Sequence, residues 1–197
     1  MFGRVILKNN LLLVGYLRNQ PAEPTKGTMM KTLERTIKDE TLTYLANGWK
    51  VLPVRAESKE PLTDLVRHGF LDATSDPVQI VKWFRKCPEM NLGIACEMSG
   101  LIVLDLDYRN MTRESWELGE QLSVIKTMQV ETGDGLHIYF TTEALSGVKA
   151  KLDLGIDIKY KGYVVAPPSI HSNGKRYEAN GLEPVGLPDD IRKWVTK

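Results

Sequence analysis

The chain has 197 residues, 42% of them hydrophobic, and a formal net charge of +1, so a substantial core fits within one domain and any basic footprint for nucleic acid must be local. Cys87 and Cys96 lack C-x-x-C spacing, which argues against a disulfide framework, leaves no structural zinc expected, and suits a reduced cytoplasmic setting. No apolar run reaches the length of about 20 residues that spans a bilayer, and the short run 11–14 lacks the pattern of a cleaved leader.

Pro21, Pro24 and Gly27 break the first segment, which predicts an extension or arm over 1–31 and a compact domain over 32–197. Leu33, Ile37, Leu42 and Leu45 recur at helical spacing, and Asn47-Gly48 supply a stop. A strand is expected over 49–54, followed by a polar loop containing Lys59-Glu60-Pro61. Asp76 as N-cap with Pro77 at the first helical position opens a helix through Trp83 and Phe84 that stops at Pro88. Strands over 92–96 and 101–106 flank a turn at Ser99-Gly100, and Thr112 caps a helix running to about Lys126. Beyond it, strands are expected over 128–131, 136–140, 156–159, 163–166 and 176–178, then a short helix over 189–195. Helices early and strands late predict an α+β fold with a mixed or antiparallel sheet.

Three of these strands carry polar residues on an otherwise apolar framework. In the first, Ile102, Leu104 and Leu106 face one way, while Val103 leads to Asp105 and Asp107 on the other. In the second, Leu136, Ile138 and Phe140 oppose His137 and Tyr139; in the third, Ile156 and Ile158 oppose Asp157 and Lys159. If the strands share a sheet, one face carries three aspartates, an imidazole and an ammonium, a combination suited to metal and phosphate. Asp105 and Asp107 lie two residues apart, so their Cα atoms are about 7 Å apart and their carboxylates can converge on a hard cation, with Asp157 as a third ligand. The plain alternative is three strand-end aspartates facing solvent.

His137 follows the tight turn Thr132-Gly133-Asp134-Gly135, where a ligand can approach the backbone closely. Lys159 shares the face of Asp157, and a basic group beside metal-binding carboxylates suits a triphosphate. Ser169 and His171 in Ala166-Pro167-Pro168-Ser169-Ile170-His171 can point the same way if the backbone stays extended. No G-x-x-x-x-G-K-[ST] motif occurs, so a P-loop ATPase is absent from this chain.

These strings resemble the prim-pol (bifunctional DNA primase/polymerase) domain of the archaeo-eukaryotic primase superfamily, found in phage and plasmid replication proteins. The resemblance runs from about Leu42 to Glu178 and includes Gly48-Trp49-Lys50-Val51-Leu52-Pro53-Val54, the Lys59-Glu60-Pro61 loop and Asn91-Leu92-Gly93-Ile94. It is most specific at Val103-Leu104-Asp105-Leu106-Asp107, Gly135-Leu136-His137-Ile138-Tyr139-Phe140 and Gly155-Ile156-Asp157-Ile158-Lys159 continuing through Gly162-Tyr163-Val164-Val165-Ala166-Pro167-Pro168-Ser169-Ile170-His171. It implies a catalytic core related to the RNA-recognition fold, a second small α/β lobe, and an active site in the cleft between them. It also implies that Asp105, Asp107 and Asp157 bind a pair of Mg²⁺ or Mn²⁺ ions and that His137 contacts the incoming nucleotide. Lys159, Ser169 and His171 sit in matching nucleotide-binding strings. The turn before His137 departs from the Gly-Gly form often seen in the family, and Asp134 there would repel phosphate unless turned away.

The function so implied is template-dependent nucleotidyl transfer, making or extending primers on single-stranded DNA from NTPs or dNTPs, in phage, plasmid or mobile-element replication. A helicase domain or protein is an expected partner, a membrane is not, and the expected location is the cytoplasm of a bacterial or archaeal host. Two other functions use part of the same pattern. A nucleotide-sugar transferase would use Asp105 and Asp107 but leave His137 and Asp157 without work. A non-catalytic nucleic-acid-binding module would leave clustered carboxylates facing phosphate.

Overall fold

Apolar alternation along neighbouring strands generates two packed sheets and places the polar residues where one of them runs out of hydrophobic cover. The structure, a computed structural model, describes residues 37–197. The expected arm over 1–31, and Leu33 of the first amphipathic pattern, lie outside the described residues.

In chain order the elements are α1 (Ile37–Ala46), β1 (Val51–Val54), α2 (Pro77–Lys86), β2 (Asn91–Ala95), β3 (Leu101–Asp107), α3 (Arg113–Ser123), β4 (Gln129–Glu131) and β5 (Gly135–Thr141). There follow β6 (Lys151–Asp153), β7 (Ile156–Lys159), β8 (Tyr163–Val165), β9 (Glu178–Ala179), β10 (Val185–Gly186) and α4 (Asp189–Val195). The fold is α+β. A three-stranded antiparallel sheet has the order β1-β2-β8, and a seven-stranded sheet has the order β6-β7-β3-β5-β4-β9, with β10 pairing parallel to β5.

Local chemistry explains the ends of the helices. The Asp76 carboxylate accepts the Val78 N–H at 2.9 Å, with Pro77 opening α2. Thr112 and Ser115 form a reciprocal capping box at the start of α3. That helix ends at Ser123 rather than near Lys126, and the Gln129 side-chain amide donates to the carbonyls of Ser123 and Ile125, satisfying acceptors left free at and beyond its end.

The expected strand over 176–178 is also displaced. Arg176 bridges to Ile170 and the Tyr177 N–H donates to the Ser169 carbonyl, so only Glu178 and Ala179 pair with β4. Two short edge strands, β6 and β10, carry too few residues to show any periodicity in the sequence.

Two cores hold these layers. Behind the large sheet, Ile102, Leu104, Leu106, Leu136, Ile138, Phe140, Ile156 and Ile158 pack with Leu122 of α3 and Ile191 and Val195 of α4. In front, Leu101, Val103, Val130 and Tyr139 join residues of the small sheet, α1 and α2 in a second cluster. Both faces of β1 and β2 are buried, so the small sheet is a rigid wall rather than a solvent-facing cover.

Candidate active site on the central sheet

The register of three adjacent strands sets the polar residues in a row. Asp105 of β3 stands opposite His137 of β5 on one side and Asp157 of β7 on the other. Asp107 stands opposite Gly135, and Val103 opposite Lys159. Opposed residues share a face, so this row continues the front surface of Leu101, Val103 and Tyr139 beyond its apolar part.

The row is held together by charge. The Lys159 ammonium lies 2.9 Å from Asp157 Oδ2 and 3.4 Å from Asp105 Oδ2, one cation between two carboxylates. Lys151 of β6 adds a second cation 3.4 Å from Asp157 Oδ1. His137 Nε2 is 3.4 Å from Asp105 Oδ1; the ring is buried, and its Nδ1 has no hydrogen-bond partner in the protein.

Burial alone would raise the Asp105 carboxyl, but the His137 hydrogen bond and the charges of His137, Lys159 and Lys59 outweigh it and hold the pKa at about 2. Lys159 shows the converse: burial pulls it down, yet the Asp157 hydrogen bond and the two carboxylate charges keep it above the ordinary lysine value. The pair is therefore ionised throughout the neutral range.

Asp107 is engaged differently. Its carboxylate takes Arg109 Nε at 3.1 Å and Asn110 Nδ2 at 2.7 Å, and the Arg109 hydrogen bond is the main reason its pKa lies below the usual range. Arg109 also reaches Asp134 Oδ2 at 3.2 Å, while Asn173 Nδ2 holds Asp134 Oδ1 at 3.2 Å. The Asp134 charge is thus turned onto two donors, which removes the repulsion expected from that turn.

A cavity of about 460 Å³ is lined by Asp105, Asp107, Asp157, Lys159 and His171 among others. His171 Nδ1 accepts the Asn173 backbone N–H at 3.3 Å, so the neutral ring carries its proton on Nε2. A Cβ at Gly133 would fall 2.2 Å from that same Nδ1, so only glycine lets the turn close against the ring.

Ser169 is not brought to the cavity: it is fully buried, accepts the Leu92 N–H at 3.0 Å and pins its loop to β2. Ser169 and His171 do not point the same way. The cavity also has lining residues that were not singled out as site residues: Lys59, whose loop is part of the resemblance, and Arg109 both come from irregular segments, where no periodicity marks a side chain's direction.

Among the described residues no group of three His, Cys, Asp or Glu side chains is poised to hold a metal ion. The donors still fit a hard divalent cation in kind, because Asp105, Asp107 and Asp157 offer carboxylate oxygens to one cavity, and Asp105 and Asp157 already share a cation, the Lys159 ammonium. Asp107 would join them by releasing Arg109 and Asn110.

The family model for the bifunctional DNA primase/polymerase N-terminal domain, Prim-Pol, matches residues 41–190. This chain belongs to the Prim-Pol family. The matched span runs from within α1 to the start of α4, so both sheets and the whole carboxylate row lie inside the Prim-Pol domain. No curated protein was found to match the chain. Among the described residues of this Prim-Pol domain, no helix is long and apolar enough to cross a membrane.

Proposed function

We propose that this Prim-Pol domain is a template-dependent nucleotidyltransferase that synthesises primers, extends them, or both, on single-stranded DNA. The observation that carries this reading is the row Asp157–Asp105–His137, whose aspartates are bridged by Lys159 and open with Asp107 and His171 on one cavity while His137 lines the adjoining one. The two sheets facing that cavity fit a catalytic core related to the RNA-recognition fold with a second small α/β lobe, the active site lying in the cleft between them.

In the reaction a 3′-hydroxyl oxygen attacks the α-phosphorus of the incoming nucleotide in line, a new phosphodiester bond forms, and the bond to pyrophosphate breaks. Two Mg²⁺ or Mn²⁺ ions held by Asp105, Asp107 and Asp157 would supply activation of that hydroxyl and neutralisation of the leaving pyrophosphate. Asp105 stays ionised at neutral pH because the His137 hydrogen bond and the charges of His137, Lys159 and Lys59 favour its anion, ready to ligate without first losing a proton. His171 offers its Nε2–H as a donor to a phosphate oxygen, with the tautomer set by Asn173. His137, buried at the back of the row, contacts the nucleotide from a fixed orientation. Lys159 would offer its ammonium to a substrate phosphate oxygen where Asp105 and Asp157 hold cations. The setting is phage, plasmid or mobile-element replication in the cytoplasm of a bacterial or archaeal host, with a helicase domain or protein alongside.

The test is synthesis on single-stranded DNA with Mg²⁺ or Mn²⁺, with and without a primer, using NTPs and dNTPs separately. Products that disappear in an Asp105→Ala, Asp107→Ala double variant are expected. No incorporation under any of these conditions, with DNA binding intact, would replace this function with that of a binding module.

A further inference from the structure

The charges around the larger cavity do not all find partners. Four carboxylates line it, those of Asp105, Asp107, Asp134 and Asp157, together with the cations Lys59, Arg109, Lys151 and Lys159. Arg109 is held by Asp107 and Asp134, Lys151 by Asp157, and Lys159 by Asp105 and Asp157. Among the described residues, Lys59 forms no ion pair. It also lines the adjoining cavity of about 250 Å³, with His137, Tyr163 and Tyr177, and so stands between the two spaces. Its charge is felt at Asp105.

Lys59 comes from the opposite wall, in the loop that follows β1. That loop is closed on itself by the Arg55 N–H donating to the Glu60 carbonyl at 2.8 Å and the Glu60 N–H donating to Ser58 Oγ at 3.1 Å. Beyond the Val54–Pro61 bridge to β1, the Tyr163 hydroxyl of β8 ties it to the sheet at Lys59 itself, donating to the Lys59 carbonyl. The Tyr163 ring in turn lies across β2 at Gly93, where a Cβ would meet it at 2.8 Å and Leu52 at 2.9 Å. Gly93, Tyr163 and the Lys59 carbonyl thus form a chain of contacts that sets one unpaired ammonium above a row of paired charges.

Resting on the nucleotidyl-transfer function proposed above, we propose that Lys59 is a phosphate-binding residue for the incoming nucleoside triphosphate, held over the carboxylate row by Tyr163. An ammonium without a carboxylate partner can take a phosphate oxygen without breaking an existing ion pair, which none of the other three cations can do. Its origin on the small-sheet side means that a bound triphosphate is gripped from both walls of the cavity.

The experiment measures equilibrium binding of a fluorescent, non-hydrolysable deoxynucleoside triphosphate, and separately of a single-stranded oligonucleotide, to the full chain in Mg²⁺. The variants are Lys59→Ala, Lys59→Arg, Tyr163→Phe and, as a control for lost charge, Lys161→Ala, which removes an exposed lysine outside both cavities. Lys59 is itself exposed, so its truncation leaves the cores intact. Lys59→Ala is expected to weaken triphosphate binding about tenfold to a hundredfold, with Lys59→Arg recovering most of the loss. Tyr163→Phe is expected to lose several-fold at an unchanged melting temperature, while Lys161→Ala and all oligonucleotide affinities stay at the wild-type level. Triphosphate binding by Lys59→Ala equal to that of Lys161→Ala would overturn the assignment while leaving the proposed function standing. A loss confined to the oligonucleotide would overturn it in favour of a template contact. A wild-type chain that binds no triphosphate would overturn the proposed function and this assignment together.

Discussion

The two faces of the seven-stranded sheet are built from the same strands and differ in what each can tolerate. The back face is apolar along β3, β5 and β7 and is closed by α3 and α4. The front face begins in the same way with Leu101, Val103 and Tyr139, then changes over one residue pair to Asp105 and His137. Strand alternation lets one backbone serve both. The buried back fixes the strands and so holds the front charges in register. Because the front row is only partly buried, cations and substrate can reach it; because it is partly buried, its ion pairs are stronger than surface pairs.

If this division holds, substitutions on the front should act mainly on activity, with a stability cost no larger than that of the ion pair they remove, and substitutions on the back should do the reverse. The largest effect is expected for Asp105→Asn, which should lower nucleotide incorporation about a hundredfold or more while lowering the unfolding free energy at neutral pH by no more than about 2 kcal/mol, the contribution of its ion pairs. Leu104→Ala tests the opposite side of the same strand. Leu104 is fully buried, and its truncation is expected to cost about 2–5 kcal/mol in denaturant unfolding, with the protein that remains folded retaining its activity.

A pH titration of the metal-free protein sharpens the comparison. The folded pKa of Asp105, about 2, lies below the ordinary 3.8. A depressed carboxyl contributes stability that is present above the unfolded value and is lost as pH falls toward the folded one. The contribution is on the order of 2 kcal/mol, lost between about pH 4 and about pH 2, and the fall in unfolding free energy over that range should be shallower in Asp105→Asn. The smallest effect is expected for Thr112→Ala, which removes the α3 cap behind the sheet and should cost about 1 kcal/mol in unfolding free energy with no change in incorporation rate.

Much of this arrangement was legible in the sequence because the key strands are long enough to show their period. The opposition of Ile102, Leu104 and Leu106 to Asp105 and Asp107 follows from alternation alone, and so does that of Ile138 to His137 and Tyr139. The helix caps at Asp76 and Thr112 were equally readable, since capping depends on residues three or fewer apart. What was not legible depends on contacts between segments distant in sequence. Ser169 sits in the same short string as His171, yet one is drawn to the Leu92 backbone and the other to the cavity. Asp107 shares a face with Asp105, yet its carboxylate is taken by Arg109 and Asn110, two residues in the turn that follows. Lys59 reaches the site only because the small sheet packs in front of the large one.

The most direct test of the account is single-turnover incorporation on a primed single-stranded template in Mg²⁺ or Mn²⁺, with wild type and Asp105→Asn compared and thermal unfolding recorded on the same samples. Incorporation by the wild type, lost in a variant that is still folded at the assay temperature, is the expected result. Equal incorporation by both proteins, or a loss that merely follows a collapse in stability, would contradict the assignment of the front row to catalysis.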